Sequence, residues 1–426
     1  MMDFFQTLKL LGFPVDEARQ EYHSVLNKDN LFAWQEKKRL QLVDFHMKNN
    51  PFYRELTKGW DGNWEHLPII TKQDLQGNHR QKIPSVCKSK LFISQTSGSS
   101  GQPFVFAKDR LTHTLIWLNV AKHYLRSGVS LNDFQARFYG IPLNGSRFWK
   151  EKIKDLISHR KRFNVFNLDD DALQKWLNQF KRHSFRYLYG YTNSLLAFAR
   201  YLIQKDIILR EVCPTLKSCI VTAEVCTERD KVLLETGFGV PVFNEYGASE
   251  VCVIGFGESG KWLVSDELVY LEVVDEQGKL LPDRHSGRLL CTLLHNEGTP
   301  IIRYEVGDEA SILHEGGRTY IKELRGRLSD SVVLPSGKKV PGLTFYYVVQ
   351  KVINDNPGIK EYKVVVKNNH DFDIQIVSEE ELTRDLKRAL NLAVEKYLEP
   401  GLTVTVTRIP QIDRTGAGKF KNFEKL

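Results

Sequence analysis

No Cys-x-x-Cys pair occurs in the 426 residues; the six cysteines (Cys87, Cys213, Cys219, Cys226, Cys252, Cys291) are scattered. Such spacing argues against a zinc knuckle and against a disulfide framework, so no zinc is expected, and reduced thiols in a cytoplasm are. Long apolar runs are missing as well. None approaches the ~18 residues that cross a bilayer, and Lys9 interrupts the hydrophobic stretch near the start. A soluble, non-exported chain without a transmembrane segment is expected. Internal repeats and low-complexity tracts are also lacking, which excludes solenoids and prion-like segments.

What is present has an ordinary globular balance, with 42% apolar and 26% charged residues. The length exceeds one ordinary core, so two domains are expected, one of them large. The net charge of +8 is lumpy, concentrated in KEKIK (150–154), HRKR (159–162) and KRH (181–183). Without interleaved aromatics or a glycine pattern these runs read as a solvated basic face, or as a docking face for an acidic partner such as a carrier protein or an anionic sugar. Nucleic acid is not expected.

Residues 1–90 read as a helical leading segment. Residues 110–127 place Leu111, Leu115, Leu118 and Leu125 at helical spacing and stop at Gly128. From 186 to 243 strand and helix patterns alternate, which predicts a mainly parallel sheet with helices on its faces and ligands at the carboxyl ends of the strands. From 268 the texture turns to hairpins. A boundary is predicted near Gly326, giving a large domain over 1–325 and a small α+β domain over 326–426, whose second helix is read as opened by Ser378 with Glu381 in capping-box spacing. The fold class is α/β, with mixed and parallel sheets in the large domain.

Between two apolar runs, LFI (91–93) and FVFA (104–107), lie Thr96, Ser97, Gly98, Ser99, Ser100 and Gly101. Glycines that turn N–H groups inward and small hydroxyls read as a cradle for an anion such as a polyphosphate. Taken alone, the stretch reads equally well as a Ser/Gly hairpin tip. It is not the NTPase loop, which ends in Gly-Lys-Ser/Thr and opens a helix.

Five stretches share one explanation: TSGSSG (96–101), TAE (222–224), NEYGASE (244–250), RYEVGD (303–308) with RGRLSD (325–330), and GAGKF (416–420). In this order they resemble the superfamily of adenylate-forming enzymes, the acyl-CoA synthetases and adenylation domains. The resemblance is narrower to the compact branch of phenylacetate-CoA ligase and the capsule-associated CapK-type proteins, and it spans about residue 65 to the end. It implies an AMP-forming ligase that uses ATP and magnesium to turn a carboxylic acid into an acyl-adenylate and then passes the acyl group to CoA, a carrier-protein thiol or an amine. An amide-forming role in polysaccharide or capsule synthesis and a non-catalytic nucleotide-binding protein are the alternatives. A monomer or homodimer is expected.

The resemblance also implies roles. Thr96 to Gly101 would close over the phosphates, Glu224 and Gly247 would border the adenine, and Tyr246 would stack on it. Glu250 would hold magnesium. Asp308 and Arg327 would bind the ribose, and Lys419, on a mobile small domain, would be the catalytic cation. Tyr139, Gly190, Tyr191 and Asn244, at strand ends, are the expected acid pocket. Gln102 stands where relatives often carry lysine, Ser329 replaces an acid at the domain junction, and TAE replaces the commoner Gly-Glu.

Overall fold

The protein is described by a computed structural model covering residues 3–86, 91–96, 104–140, 146–257, 260–353, 358–378, 380–414 and 420–426. Two compact units emerge: Met1–Val306 with Ser311–Glu323, and Gly307–Ala310 with Leu324–Leu426.

The first unit opens with helices Phe4–Leu10, Val15–Leu26, Leu31–Asn49 and Pro51–Leu56. Their starts follow from local chemistry. Asp3 closes a capping box with Gln6, and Asn30 accepts from the Ala33 N–H. Asn50 caps the helix that has Pro51 at its first position, where the missing N–H costs nothing.

The body of this unit is an eleven-stranded sheet. Its parallel half runs Arg160–Phe163, Gln135–Phe138, Tyr187–Tyr191, Ser218–Thr222, Val242–Gly247. Strands buried on both faces tolerate continuous apolar sequence, which is why Ser-Cys-Ile-Val-Thr (218–222) is wholly buried. One face packs helices Asp170–Arg182, Thr192–Gln204 and Glu228–Phe238 around Phe138, Phe163, Trp176, Phe180 and Phe198. The other face packs Val120 and Tyr124 of helix Arg110–Arg126 against Tyr187, Tyr189, Ile220, Phe243 and Phe256. From Val253–Gly257 through Trp262–Val264 the sheet continues antiparallel, followed by the strands Arg318–Arg327, Tyr304–Glu315, Gly287–Leu293 and Val269–Val274. The alternation seen in the sequence thus becomes a parallel half, and the hairpin texture after 268 becomes the antiparallel edge.

Strand Leu91–Gln95 pairs antiparallel with Val105–Asp109 as a separate ribbon. Thr299 holds that ribbon: the Ala107 N–H donates to its Oγ1 (3.0 Å), and its own N–H donates to the Ala107 carbonyl (2.9 Å).

In the second unit four strands lie in the order Thr403–Arg408, Asp371–Ser378, Ile359–Val366, Phe423–Lys425, joined to helices Gly342–Ile353 and Arg384–Tyr397. Phe345 stacks on Phe372 (4.9 Å) and packs on Phe423 (5.4 Å), tying helix to sheet. The later helix buries Leu386, Leu390, Ala393 and Val394 at helical spacing. Its cap differs from the sequence expectation. Thr383, not Ser378, accepts from the Leu386 N–H (3.2 Å), because Ser378 still belongs to its strand and its Oγ accepts from the Glu380 N–H.

Candidate functional site

Strands Ser218–Thr222 and Val242–Gly247 are parallel neighbours, with Thr222 opposite Glu245. Their carboxyl ends therefore emerge side by side, and that juxtaposition brings Glu224 and Tyr246 to one rim of the sheet.

Past the first strand, Ala223 takes φ +67°, a left-handed conformation that suits glycine, in the place where the resembling family carries one. The turn delivers Glu224 to the start of helix Thr192–Gln204. There its Oε2 accepts from the backbone N–H of Asn193 (2.9 Å) and from Asn193 Nδ2 (3.1 Å). A carboxylate on the unsatisfied N–H groups of a helix start is favoured by the local dipole. Glu224 is thus anchored at this rim.

Past the second strand, Tyr246 is half-buried, and its partner across the ladder is Gly255, so no side chain stands opposite it. A Cβ on Gly247 would lie 2.3 Å from the Cys252 carbonyl oxygen, so only glycine allows the bulge here. The chain turns back through the Ala248 N–H to Cys252 O (3.1 Å) and the Val251 N–H to Ala248 O (3.0 Å) bonds. That turn buries Glu250, whose Oε1 accepts from the Tyr304 hydroxyl at 2.9 Å. Lys108 Nζ donates to the Ser249 carbonyl (2.8 Å), and burial lowers its pKa to about 8.

Glu250 can offer a carboxylate to a cation. Among the described residues no group of three or more His, Cys, Asp or Glu could hold a metal ion. A magnesium ion at Glu250 would therefore take its remaining ligands from water and from nucleotide oxygens, its usual habit.

Thr96 closes the neck of the ribbon: its N–H donates to the Phe104 carbonyl (2.9 Å), and its Oγ1 accepts from the Phe104 N–H (3.1 Å). Ser97, Gly98, Ser99, Ser100 and Gly101 lie outside the described residues, as does Lys419. The chain on either side of Lys419 is held within its own unit. Arg414 pairs with Glu361 and lies 5.4 Å over the ring of the buried Phe420, and Phe423–Lys425 adds a parallel strand to Ile359–Val366. Asp308 and Arg327 both fall in the second unit; Asp308 is half-buried and Arg327 exposed.

Of the four acid-pocket residues, Tyr139 and Tyr191 are in contact. Tyr139 stacks on Tyr189 (5.6 Å, 4°) and packs on Tyr191 (4.2 Å). A Cβ on Gly190 would meet the Phe138 carbonyl oxygen at 2.4 Å, so this glycine is required by strand packing. Asn244 lines a shallow cleft with Thr227, Lys231, Lys261 and Trp262. Its chain neighbour Glu245 takes the opposite face of the strand, accepting from the Tyr189 hydroxyl (2.8 Å) and the Tyr124 hydroxyl (3.3 Å), and burial raises its pKa. Sequence reasoning passed over Glu245, Asn193, Tyr304 and Lys108. Only Glu245 carried a usable signal, an acid inside an otherwise apolar strand run.

Comparison with known proteins adds the following. No family model matches the chain. It is 25% identical to Protein CapK of Staphylococcus aureus over 323 residues, 71% of this chain and 69% of CapK. It is 23% identical to the phenylacetate-coenzyme A ligase of Thermus thermophilus, spanning 93% of this chain and 96% of that protein. In structure it is similar to 2-hydroxyisobutyryl-CoA ligase in complex with 2-HIB-AMP, at TM-score 0.68 and 18% identity over 91% of this chain and 88% of the other. It is also similar to the amide bond synthetase McbA of Marinactinospora thermotolerans, at TM-score 0.55 and 16% identity over 78% and 67%.

Proposed function

We propose, from the premise that the chain belongs to the phenylacetate-CoA ligase-like branch of the adenylate-forming superfamily, that it activates a carboxylic acid with ATP as an acyl-adenylate, releases pyrophosphate, and transfers the acyl group to CoA. The observation that carries this reading is the parallel pairing of strands Ser218–Thr222 and Val242–Gly247, from whose neighbouring carboxyl ends Glu224 and Tyr246 emerge and the Glu250 turn continues. An adenine can stack on Tyr246 beside Glu224. The polyphosphate then runs toward the Thr96–Gly101 loop, with magnesium on Glu250.

A carboxylate attacking a polyanion needs charge neutralisation and alignment rather than covalent help from the protein. Lys419 supplies a flexible point charge for the acid oxygen and the phosphoryl oxygens. Asp308, with Arg327, takes the ribose hydroxyls. Magnesium, when bound, spreads the charge of the leaving pyrophosphate. After adenylation the second unit changes position so that the acyl acceptor can enter.

A second reading, which rests on the motif resemblance to the capsule-associated CapK-type proteins, makes the acceptor an amine on a polysaccharide precursor. Pyrophosphate release across a panel of carboxylic acids, followed by addition of CoA or of amino sugars, tests both. Acid-dependent release with thioester formation is expected. Release followed by amide formation alone selects the second reading, and release with no acid contradicts both.

A further inference from the structure

A polar cluster on the Tyr189 face of the parallel half has no part in the chemistry proposed above. In strand Gln135–Phe138, Arg137 is registered opposite Arg162 on one side and Tyr189 on the other. Period-two alternation puts Gln135 and its partner Arg160 on the same face. Three guanidinium groups, those of Arg137, Arg160 and Arg162, thus share one side of two adjacent strands.

Asp155 is committed to two of them. It lies 2.5 Å from Arg160 Nε and 2.8 Å from Arg162 Nη2. Glu245 accepts from the hydroxyls of Tyr189 and Tyr124, and the Arg137 charge acts on it through space without a hydrogen bond among the described residues. Arg137 is left with a single hydrogen bond among the described residues, from Nη1 to Gln135 Oε1 at 3.2 Å, while its Nε is buried without an acceptor. Its guanidinium lies 4.5 Å over the Tyr139 ring and 4.9 Å over the Tyr189 ring.

Stacking on two aromatic rings holds a guanidinium plane but satisfies none of its five donors. Arg137 is half-buried, and its buried Nε lacks an acceptor at a cost that a planar oxyanion taking the fork in bidentate fashion would recover. The cluster also adjoins the site. Glu245, bonded to Tyr189, precedes Tyr246 in the same strand, and Tyr139 follows directly on the carboxyl end of Gln135–Phe138, the end at which such sheets bind ligands.

We propose that Arg137 determines substrate specificity: the acid that the enzyme activates carries a second carboxylate on its acyl tail, and Arg137 binds that carboxylate above the rings of Tyr139 and Tyr189. The inference rests on the acid-activating function proposed above. It predicts that dicarboxylic acids are activated in preference to monocarboxylic acids of the same length.

The test compares the wild-type protein with Arg137→Met and Arg137→Lys, using acid-dependent ATP–pyrophosphate exchange with paired acids of four to eight carbons, such as hexanoate and adipate. Wild type should favour the best dicarboxylate over its partner by roughly 10- to 100-fold in kcat/KM. Arg137→Met should bring the ratio close to one, and Arg137→Lys should keep part of it. In parallel, without ATP, that dicarboxylate should raise the melting temperature of wild type and not that of Arg137→Met. No dicarboxylate preference in wild type, or a preference that survives in Arg137→Met, overturns the proposal. If no acid supports exchange but dicarboxylates still stabilise wild type and not Arg137→Met, the anion site stands and the acid-activating function falls.

Discussion

The two halves of the large sheet bury charge in different ways. On the antiparallel side charges come in pairs. Arg303, 1% exposed, lies 3.2 Å from Glu272 and donates from Nη1 to the carbonyls of Glu65 (2.6 Å) and Leu67 (2.7 Å), pinning the leading segment. Arg318 pairs with Glu267 (2.7 Å) and Asp266 (3.2 Å), and Lys122 adds a second cation to Glu267 (2.6 Å). On the parallel side Asp155 pairs with Arg160 and Arg162, Arg137 has no ion pair among the described residues and lies over the rings of Tyr139 and Tyr189, and Glu250 accepts from a tyrosine hydroxyl. Paired burial fixes the scaffold. Both halves hold a residue with a side chain in a left-handed conformation, Ala223 (φ +67°) and Arg303 (φ +45°), so what sets the parallel half apart is Arg137, whose guanidinium faces aromatic rings where Arg303 and Arg318 face carboxylates.

The contrast can be broken most forcefully at Arg303. Arg303→Met leaves Glu272 buried without its cation and strips two carbonyls of their donor. It should cost about 3–5 kcal/mol, read as a large drop in the urea midpoint. A shift below ~1 kcal/mol would erase the distinction between the halves.

Acid should attack the same scaffold. Burial lowers the pKa of His46 to about 4, and those of His123 and His295 to about 3. Between their unfolded value of ~6.5 and those figures the unfolded chain binds more protons than the folded one, so stability falls as pH falls through that window. Glu267, lowered to about 2, acts in the same direction below its ordinary range, whereas Asp266, raised to about 6 by burial, opposes it. His113, lowered to about 4, joins the other three histidines, while Glu245 and Glu272, raised by burial, join Asp266 on the opposing side; with four histidines against three carboxyls, the melting temperature should decline from pH 6.5 to 4.5. A flat profile would show that the histidines are not buried neutral.

The smallest effect is expected at the rim. Ala223→Gly removes the left-handed strain but adds freedom to the unfolded chain, so a net gain of at most ~1 kcal/mol is expected in the urea midpoint. A loss would mean that this turn carries no strain.

Much of this arrangement was legible in the sequence. The parallel strands read as apolar runs because both of their faces are buried, and the order of the five motifs carries the resemblance to the adenylate-forming enzymes. Arg137 is legible only once strand Gln135–Phe138 is placed, because its alternation sets Arg137 and Tyr139 on one face and Ala136 and Phe138 on the other. Arg303 was seen only as the first letter of RYEVGD; its partner Glu272 lies in another strand, and no local pattern links them. Ser378 was misread as a cap because spacing alone does not say where a strand lets go of its last residue.

The central claim is that an ammonium group near the carboxyl terminus drives acid activation. Rapid-quench measurement of acyl-adenylate formed in a single turnover from α-labelled ATP, in wild type and in Lys419→Ala, addresses it directly. A fall of roughly 10²- to 10³-fold in the rate, with the melting temperature unchanged, is the predicted result. Adenylate formed by Lys419→Ala at the wild-type rate would contradict the account.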